Sequence, residues 1–256
     1  MRLAPLAEEL GYDSLWMGEH VVLPDPWRGP SPMEPDEPIH DPLVALAFAA
    51  ALTTRIRLAT GIVVLPQRNP LVLAKQLASL DSLSDGRLIF GMGVGYLEPE
   101  LTAVGVPMEG RGSRADEYLG AMRALWEQER PSFEGEFVRF SGVNAHPRPI
   151  QRPLPVVIGG HSRAAHRRAA RSGDGWYGFM LDLDETEEQV ESLRAQLADA
   201  GRDISELELT VSPSGQIDAE TVEAYGRLGI DRLVLVPRLD ASPDQVEQFA
   251  RRHAPG

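Results

Sequence analysis

Residues 55–96 read RIRLATGIVVLPQRNPLVLAKQLASLDSLSDGRLIFGMGVGY. This stretch holds an apolar run from Arg55 to Leu65, leucines at helical spacing after Asn69-Pro70, and a second apolar run from Leu88 to Val94. Short apolar runs bounded by turn residues predict buried strands, and leucines three or four positions apart predict a helix. Strand, helix and strand in this order predict the βαβ unit of a parallel sheet.

The same alternation continues on both sides. Upstream, we predict a helix over Leu3–Leu10, a strand over Ser14–Gly18, and a helix after the Asp41-Pro42 cap. Downstream, predicted strands alternate with helices; the strands are Val156–Ile158, Gly175–Phe179, Leu207–Val211 and Arg232–Val236. About seven such units in a row favour a closed (β/α)8 barrel of the TIM type over an open sheet.

The pattern departs from a regular barrel in two places. Residues 129–153 are rich in proline and contain a predicted hairpin arm, which indicates an insertion within one domain spanning 1–256. The sequence begins with the helix that should follow a first strand, so we infer that the first strand of the barrel is absent. A barrel lacking one strand has two open edges, which proteins normally avoid.

Composition argues against several classes of protein. The net charge of −13 disfavours nucleic acid and anionic membranes as partners. No apolar stretch reaches the roughly 20 residues of a membrane span. There are no cysteines, and the histidines lack metal-ligand spacing, so we expect no thiol chemistry and no protein-held metal. A small-molecule substrate and a cytoplasmic location are the simplest expectations.

Four segments together resemble a known family. They are LAEELGYDSLWMGEHVVLP (6–24), residues 53–96, GRGSRADEYLGAMRALW (110–126) and the run from Pro149 through IGGHSRAAHRRAARSGDGW to Trp176. Their order and spacing resemble the bacterial luciferase-like monooxygenase superfamily, most closely its F420-dependent oxidoreductase branch. The resemblance implies a TIM-type barrel, a flavin or deazaflavin cofactor (FMN or coenzyme F420), and hydride transfer. Dimers are common in this family, so a homodimer is expected by analogy only.

Glu19 and His20 are the candidate catalytic residues. They follow directly after a predicted strand, where residues of a barrel face the active site. Histidine titrates near neutral pH and can move a proton beside a hydride-transfer centre. His20 could instead be structural, and Glu19 could either orient His20 or be solvated. Trp27, in the following loop, could line the substrate pocket or simply pack.

Two strand ends are candidate contacts of the cofactor ring. Thr60, Gly61 and Ile62 lie late in one strand, where glycine indicates a bulge or a close backbone approach. The resemblance implies a cis peptide bond at Gly61–Ile62, pressed against the ring. Gly95 and Tyr96 follow the next strand, where small residues would let the cofactor approach.

Residues 91–95, GMGVG, do not form a dinucleotide fingerprint. The spacing is G-x-G-x-G, and we expect no helix there because Pro99 and Gly105 follow. Tyr96 stands where the family's F420-dependent sugar-phosphate dehydrogenases have an acid, which argues against that particular acid–base chemistry.

The candidate phosphate site consists of the residues at the end of the strand VVI and the start of the next helix: Gly159, Gly160, His161 and Ser162. Free N–H groups at a helix N-terminus bind phosphate, and glycine lets the anion approach. A plain helix capped by Ser162 is the alternative. Both FMN and F420 carry a phosphate, which the resembling family holds here.

The expected function is hydride transfer between F420 and an unidentified small organic substrate. An FMN-dependent monooxygenase is the first alternative, and an inactive product of an N-terminally shortened gene is the second. The oligoglutamate tail of F420 is anionic, and Arg68 and Arg148 are candidates to bind it. Arg114 and Asp116 are expected to pair with each other as a structural element.

Overall fold

The structure, a computed structural model, describes residues 2–238 and 240–255. Its α-helices in chain order are α1 Leu3–Glu9, α2 Pro42–Leu52, α3 Pro70–Leu83, α4 Glu98–Ala103, α5 Arg111–Glu127, α6 Arg163–Ser172, α7 Leu183–Asp199, α8 Ala219–Arg227 and α9 Pro243–Arg252. Its strands are β1 Ser14–Met17, β2 Arg57–Thr60, β3 Val63–Val64, β4 Leu88–Gly93, β5 Phe133–Glu134, β6 Arg139–Phe140, β7 Val156–Gly159, β8 Gly175–Leu181, β9 Glu208–Pro213 and β10 Arg232–Leu233.

The chain forms two compact units. The first unit comprises residues 17–54 and 58–154, and the second comprises 2–16, 55–57 and the described residues from 155 onward. The single domain predicted from the sequence stays a prediction. Among the described residues, no helix combines the length and the apolar composition that crossing a membrane requires.

In the first unit, one predicted strand is divided. The apolar run Arg55–Leu65 forms β2 and β3, both pairing in parallel with β4, and the cis peptide bond Gly61–Ile62 separates them. The backbone N–H of Gly61 donates to the carbonyl of Met17 at the end of β1 (2.8 Å). The predicted cis bond is thus confirmed, and the predicted single strand is corrected to two short ones.

Two carboxylates anchor the predicted insertion, which contains the antiparallel hairpin β5–β6. Glu117, on α5, accepts the backbone N–H groups of residues 136, 137 and 138. Asp81, fully buried on α3, accepts those of Ile150 and Gln151 at 2.7 and 3.1 Å. These bonds satisfy backbone donors that no sheet partner could reach.

In the second unit, β7, β8, β9 and β10 pair in parallel in that order. Helix α6 is capped by Ser162, and α7 carries a capping box between Asp182 and Glu185. Both helices begin directly after a strand, as βα units require. The last strand, β10, is shorter than the predicted Arg232–Val236.

The expectation that no helix follows Gly95 is wrong. Helix α4 begins at Glu98 with Pro99 in its first turn, where the missing N–H of proline costs no hydrogen bond. Gly105 has a φ of +77° and lies just past the end of the helix, as a C-terminal glycine does. Proline and glycine therefore start and stop this helix instead of excluding it.

We expect His166 to make the stability of the protein sensitive to mild acid. The residue is buried on α6, with Nδ1 2.7 Å from the hydroxyl of Ser192, and burial lowers its pKa to about 4. The folded state therefore holds His166 neutral, whereas the unfolded chain protonates it near pH 6.5. Its contribution is full above pH 6.5 and is lost as the pH falls towards 4.

We predict that acidification from pH 7 to 4.5 lowers the free energy of unfolding by about 2–3 kcal/mol through His166 alone. Urea denaturation of the wild type and of His166→Gln at both pH values measures this, because the variant should lose that part of the pH dependence. The control is His146→Gln, since His146 is exposed. Equal pH dependence in all three proteins would contradict the prediction.

Candidate functional site

His20 is oriented by a buried carboxylate. Its Nδ1 lies 2.9 Å from Oε2 of Glu100, a residue of α4 that is 2% exposed. The other oxygen of Glu100 accepts the backbone N–H of Val21 (2.6 Å). A carboxylate only accepts hydrogen bonds, so Nδ1 of His20 carries a proton, and whenever the ring is neutral its Nε2 has the lone pair. The pair therefore presents a proton acceptor of fixed orientation.

Glu19 does not take the role expected of it. Its buried carboxylate accepts the N–H of Val64 (2.7 Å) and pairs with Arg68, and Arg68 also pairs with Asp41 (2.6 Å), the N-cap of α2. Burial raises the pKa of Glu19, while the bonds from Arg68 and Val64 oppose that shift. Burial also lowers the pKa of Arg68, but its two carboxylate partners raise it overall, so the guanidinium stays charged.

Glu19 is thus neither solvated nor bonded to His20, and Glu100 is the residue that orients the imidazole. We correct the catalytic assignment of Glu19 to a structural one. Arg68 is likewise unsuited to a ligand tail, because both of its carboxylate partners belong to the protein. Arg148, the other candidate, donates to the carbonyls of Gln128 and Glu129.

Thr60 is not available to a ligand. It is fully buried, and its hydroxyl donates to the carbonyl of Gly91 (2.7 Å) and accepts the N–H of the same residue (2.8 Å). The predicted cofactor contact of Thr60 is therefore corrected to a cross-strand link. Gly61 and Ile62, by contrast, are partly accessible between buried residues on either side. Their contact with a cofactor stays a prediction.

The backbone around Gly61 lies against the residues that lead to His20. A Cβ added to Gly18 would be 3.3 Å from the carbonyl oxygen of Gly61, which is a tight contact. Gly18 precedes His20 by two residues. The partly accessible segment 61–62 and the start of the loop that carries His20 therefore lie next to each other in the first unit.

Packing and backbone conformation within the protein explain why residue 95 is a glycine. A Cβ there would be 2.7 Å from Cγ1 of Val64, and the φ of +78° also favours glycine. Tyr96 follows, 52% exposed, with its ring edge-on to His20 at 6.1 Å between centroids. Burial and Glu100 raise the pKa of Tyr96, so its hydroxyl stays protonated near neutral pH.

No sequence motif marked Gln67 as a candidate site residue, but the environment of its amide is unusual in the structure. It ends the 3₁₀ turn that follows β3, and both its amide atoms are buried. Among residues 2–238 and 240–255, neither atom has a hydrogen-bond partner. An orphaned amide of this kind is costly in a native protein unless something else satisfies it.

Trp27 is half exposed (50%), and its role in the substrate pocket stays a prediction. Arg114 donates to the hydroxyl of Tyr118 and lies 4.4 Å from the ring centre of Phe137. Arg114 is therefore engaged with aromatic rings, which is its structural role. Within the described ranges, no group of three or more histidine or acidic side chains could hold a metal ion.

The candidate phosphate site lies in the second unit. Ser162 caps α6 by accepting the N–H of Ala165 (3.2 Å), and Gly160 adopts a φ of +119°. His161 accepts the N–H of Phe179 on Nε2 (3.0 Å), so the proton of its neutral ring is on Nδ1. Burial lowers the pKa of His161, against the opposing effect of Glu185. The segment therefore combines a helix N-terminus, a glycine with a positive φ and a neutral donor.

Sequence comparison relates this chain to a family that includes redox enzymes. The family model described as luciferase-like monooxygenase matches residues 1–248. The uncharacterized protein Rv0953c of Mycobacterium tuberculosis is 36% identical over 98% of this chain and 91% of its own length. An F420-dependent glucose-6-phosphate dehydrogenase of Kineococcus radiotolerans is 33% identical over 85% and 64%. An FMNH2-dependent dimethylsulfone monooxygenase of Pseudomonas putida is 31% identical over 63% and 46%.

Solved structures of similar fold include enzymes of the same kinds. Monooxygenase RslO1 from Streptomyces bottropensis is 33% identical with a TM-score of 0.70, covering 89% of this chain and 68% of its own. An F420-dependent secondary alcohol dehydrogenase, in complex with an F420–acetone adduct, has a TM-score of 0.78 at 18% identity, covering 98% and 94%. These likenesses confirm the predicted fold class, the luciferase-like TIM-type barrel.

We predict that Arg68→Met lowers the free energy of unfolding by about 3–5 kcal/mol, because it leaves Glu19 buried without its charged partner. Urea denaturation measures the loss, and adding Glu19→Gln to the variant should recover part of it. Arg139→Met is the control, since Arg139 and Glu134 form an exposed pair worth about 0–1 kcal/mol. Similar losses in both single variants would refute the argument.

We also predict that the neutral form of His20 is the Nδ1-protonated tautomer. Long-range ¹H–¹⁵N NMR of the imidazole distinguishes the tautomers without any substrate. In Glu100→Gln the amide can donate or accept, so the preference should weaken. An Nε2-protonated ring in the wild type would show that Glu100 does not set the tautomer.

Proposed function

Because this chain belongs to the luciferase-like monooxygenase family, we propose that it is an oxidoreductase that uses coenzyme F420 to oxidise or reduce a small organic substrate. The family contains F420-dependent and FMN-dependent enzymes. The observation that carries the proposal is the His20–Glu100 pair, a proton acceptor of fixed orientation at a strand end. A hydride transfer to or from a carbon that bears oxygen needs such a group to move the accompanying proton.

Residues of the first unit fit the ring of such a cofactor. Gly61 and Ile62, the two residues between β2 and β3, are partly accessible. Gln67, after β3, has a buried amide whose donor and acceptor both lack partners among the described residues. The pyrimidine edge of a flavin or deazaflavin ring presents both an N–H and carbonyl oxygens, which an amide can match.

In the second unit, we propose a phosphate-binding site at Gly159–Ser162. The first N–H groups of α6 and the helix dipole favour an anion at this position. His161 adds a neutral donor, Nδ1–H, because its Nε2 is held by Phe179. Ser162 can keep its capping bond while its backbone N–H faces the ligand, so cap and phosphate site are compatible.

The chain's own groups would divide the chemistry as follows. When bound, F420 supplies the hydride-transfer chemistry. Nε2 of His20 takes the proton from a substrate hydroxyl during oxidation and returns it to a carbonyl oxygen during reduction. Glu100 holds the imidazole in position and stabilises its protonated form. The ring of Tyr96 lies edge-on beside the imidazole, and Trp27 would contact the substrate.

Fluorescence-quenching titrations with F420 and with FMN test the cofactor. We expect micromolar binding of F420 and weaker binding of FMN. Tighter binding of FMN would replace the proposal by a flavin-dependent monooxygenase, and binding of neither by folded protein would reject a redox enzyme of this family type.

The same titration tests Gln67. Gln67→Met should weaken F420 binding by about tenfold, the equivalent of one lost hydrogen-bond pair, without lowering the thermal stability. Gln216→Met is the matched control, because that amide is exposed. Unchanged affinity in Gln67→Met would remove Gln67 from the ring site.

A further inference from the structure

Helix α6 carries a stripe of arginines. Arg163, Arg167 and Arg171 are each four residues apart, so they share one face of the helix, and all three are exposed. We call these three residues the arginine stripe. A fourth arginine, Arg168, is buried and has a partner elsewhere in the protein. The stripe is thus separate from the packing of the helix.

Within the described part of the chain, the arginine stripe has no ion-pair partner. None of the ion pairs found among the described residues includes Arg163, Arg167 or Arg171, whereas arginines such as Arg202 and Arg232 pair with carboxylates. Helix α6 contains no acidic residue, although the chain as a whole has a net charge of −13. Like charges four residues apart destabilise a helix. No ion pair among the described residues offsets this repulsion.

The stripe begins where the candidate phosphate site ends. Arg163 is the residue after Ser162, and eight residues at 1.5 Å each carry the stripe about 12 Å along the helix. An anionic chain that continues from a phosphate bound at Ser162 would meet successive guanidinium groups. Guanidinium binds carboxylate through charge-assisted and often bidentate hydrogen bonds.

We propose that the arginine stripe binds the oligoglutamate tail of F420 and is the element that favours F420 over FMN. The inference rests on the proposed function, because the tail leaves the phosphate that we assign to Gly159–Ser162. FMN ends at its phosphate and would gain nothing from the stripe. Arg167 and Arg171 discriminate most, since they lie beyond the reach of the phosphate site.

Titration with two forms of the cofactor tests the proposal: F420 with several glutamates, and the form that ends before the first glutamate. We expect wild-type protein to bind the long-tailed form about tenfold more tightly at 50 mM salt. The difference should shrink at 500 mM salt, because exposed charges are screened. Arg167→Gln/Arg171→Gln should lose the difference while binding the tailless form as the wild type does.

The control is Arg251→Gln/Arg252→Gln, which removes two exposed arginines from α9. It should keep the preference for the long tail, and circular dichroism should show that both double variants are folded. Equal binding of both cofactor forms by the wild type would overturn the stripe proposal and leave the proposed function standing. Failure of the wild type to bind either form would overturn both.

Discussion

The first unit depends on one buried carboxylate, that of Glu19. It joins the end of β1 to the backbone of β3 through Val64 and, through Arg68, to the N-cap of α2 at Asp41. Removing a carboxylate and a guanidinium from water costs several kcal/mol per ion, and the cost is offset only when their hydrogen bonds are satisfied. The three segments are therefore fixed relative to one another, and His20, the next residue in the chain, begins from a rigid backbone.

Carboxylates do different work in different parts of this unit. Glu117 and Asp81 accept backbone N–H groups and attach the insertion to α5 and α3. Glu100 accepts one backbone N–H and one imidazole N–H. Of these acids, Glu100 alone contacts an imidazole, that of the candidate catalytic residue His20. All three carboxylates lie on helices and accept hydrogen bonds, so they differ only in the groups that donate to them.

In our proposal, the choice between F420 and FMN depends on parts of the ligand far from the ring. FMN and F420 share a planar ring and a phosphate, and relatives of this chain use one or the other. The residues that we propose for the ring site, Gln67 and the segment 61–62, would serve either cofactor. A helix N-terminus would likewise hold either phosphate. Beyond the phosphate the two ligands differ in charge, and this difference is the one that the proposed role of the exposed arginines of α6 would exploit.

The sequence by itself determined the order of helices and strands, the caps at Asp41, Asn69 and Ser162, and the position of the break at Gly61–Ile62, because periodicity, capping chemistry and glycine act over a few residues. It also located His20 at a strand end. Only the tertiary structure decided which acid serves His20: Glu100 is 80 residues away and lies on a short helix that the proline and glycine around it had argued against. Likewise, the burial of Glu19 and Thr60 and the orphaned amide of Gln67 depend on neighbours brought together by folding. Local patterns fix local structure, whereas the partner of a buried polar group is chosen by which distant segments share its space.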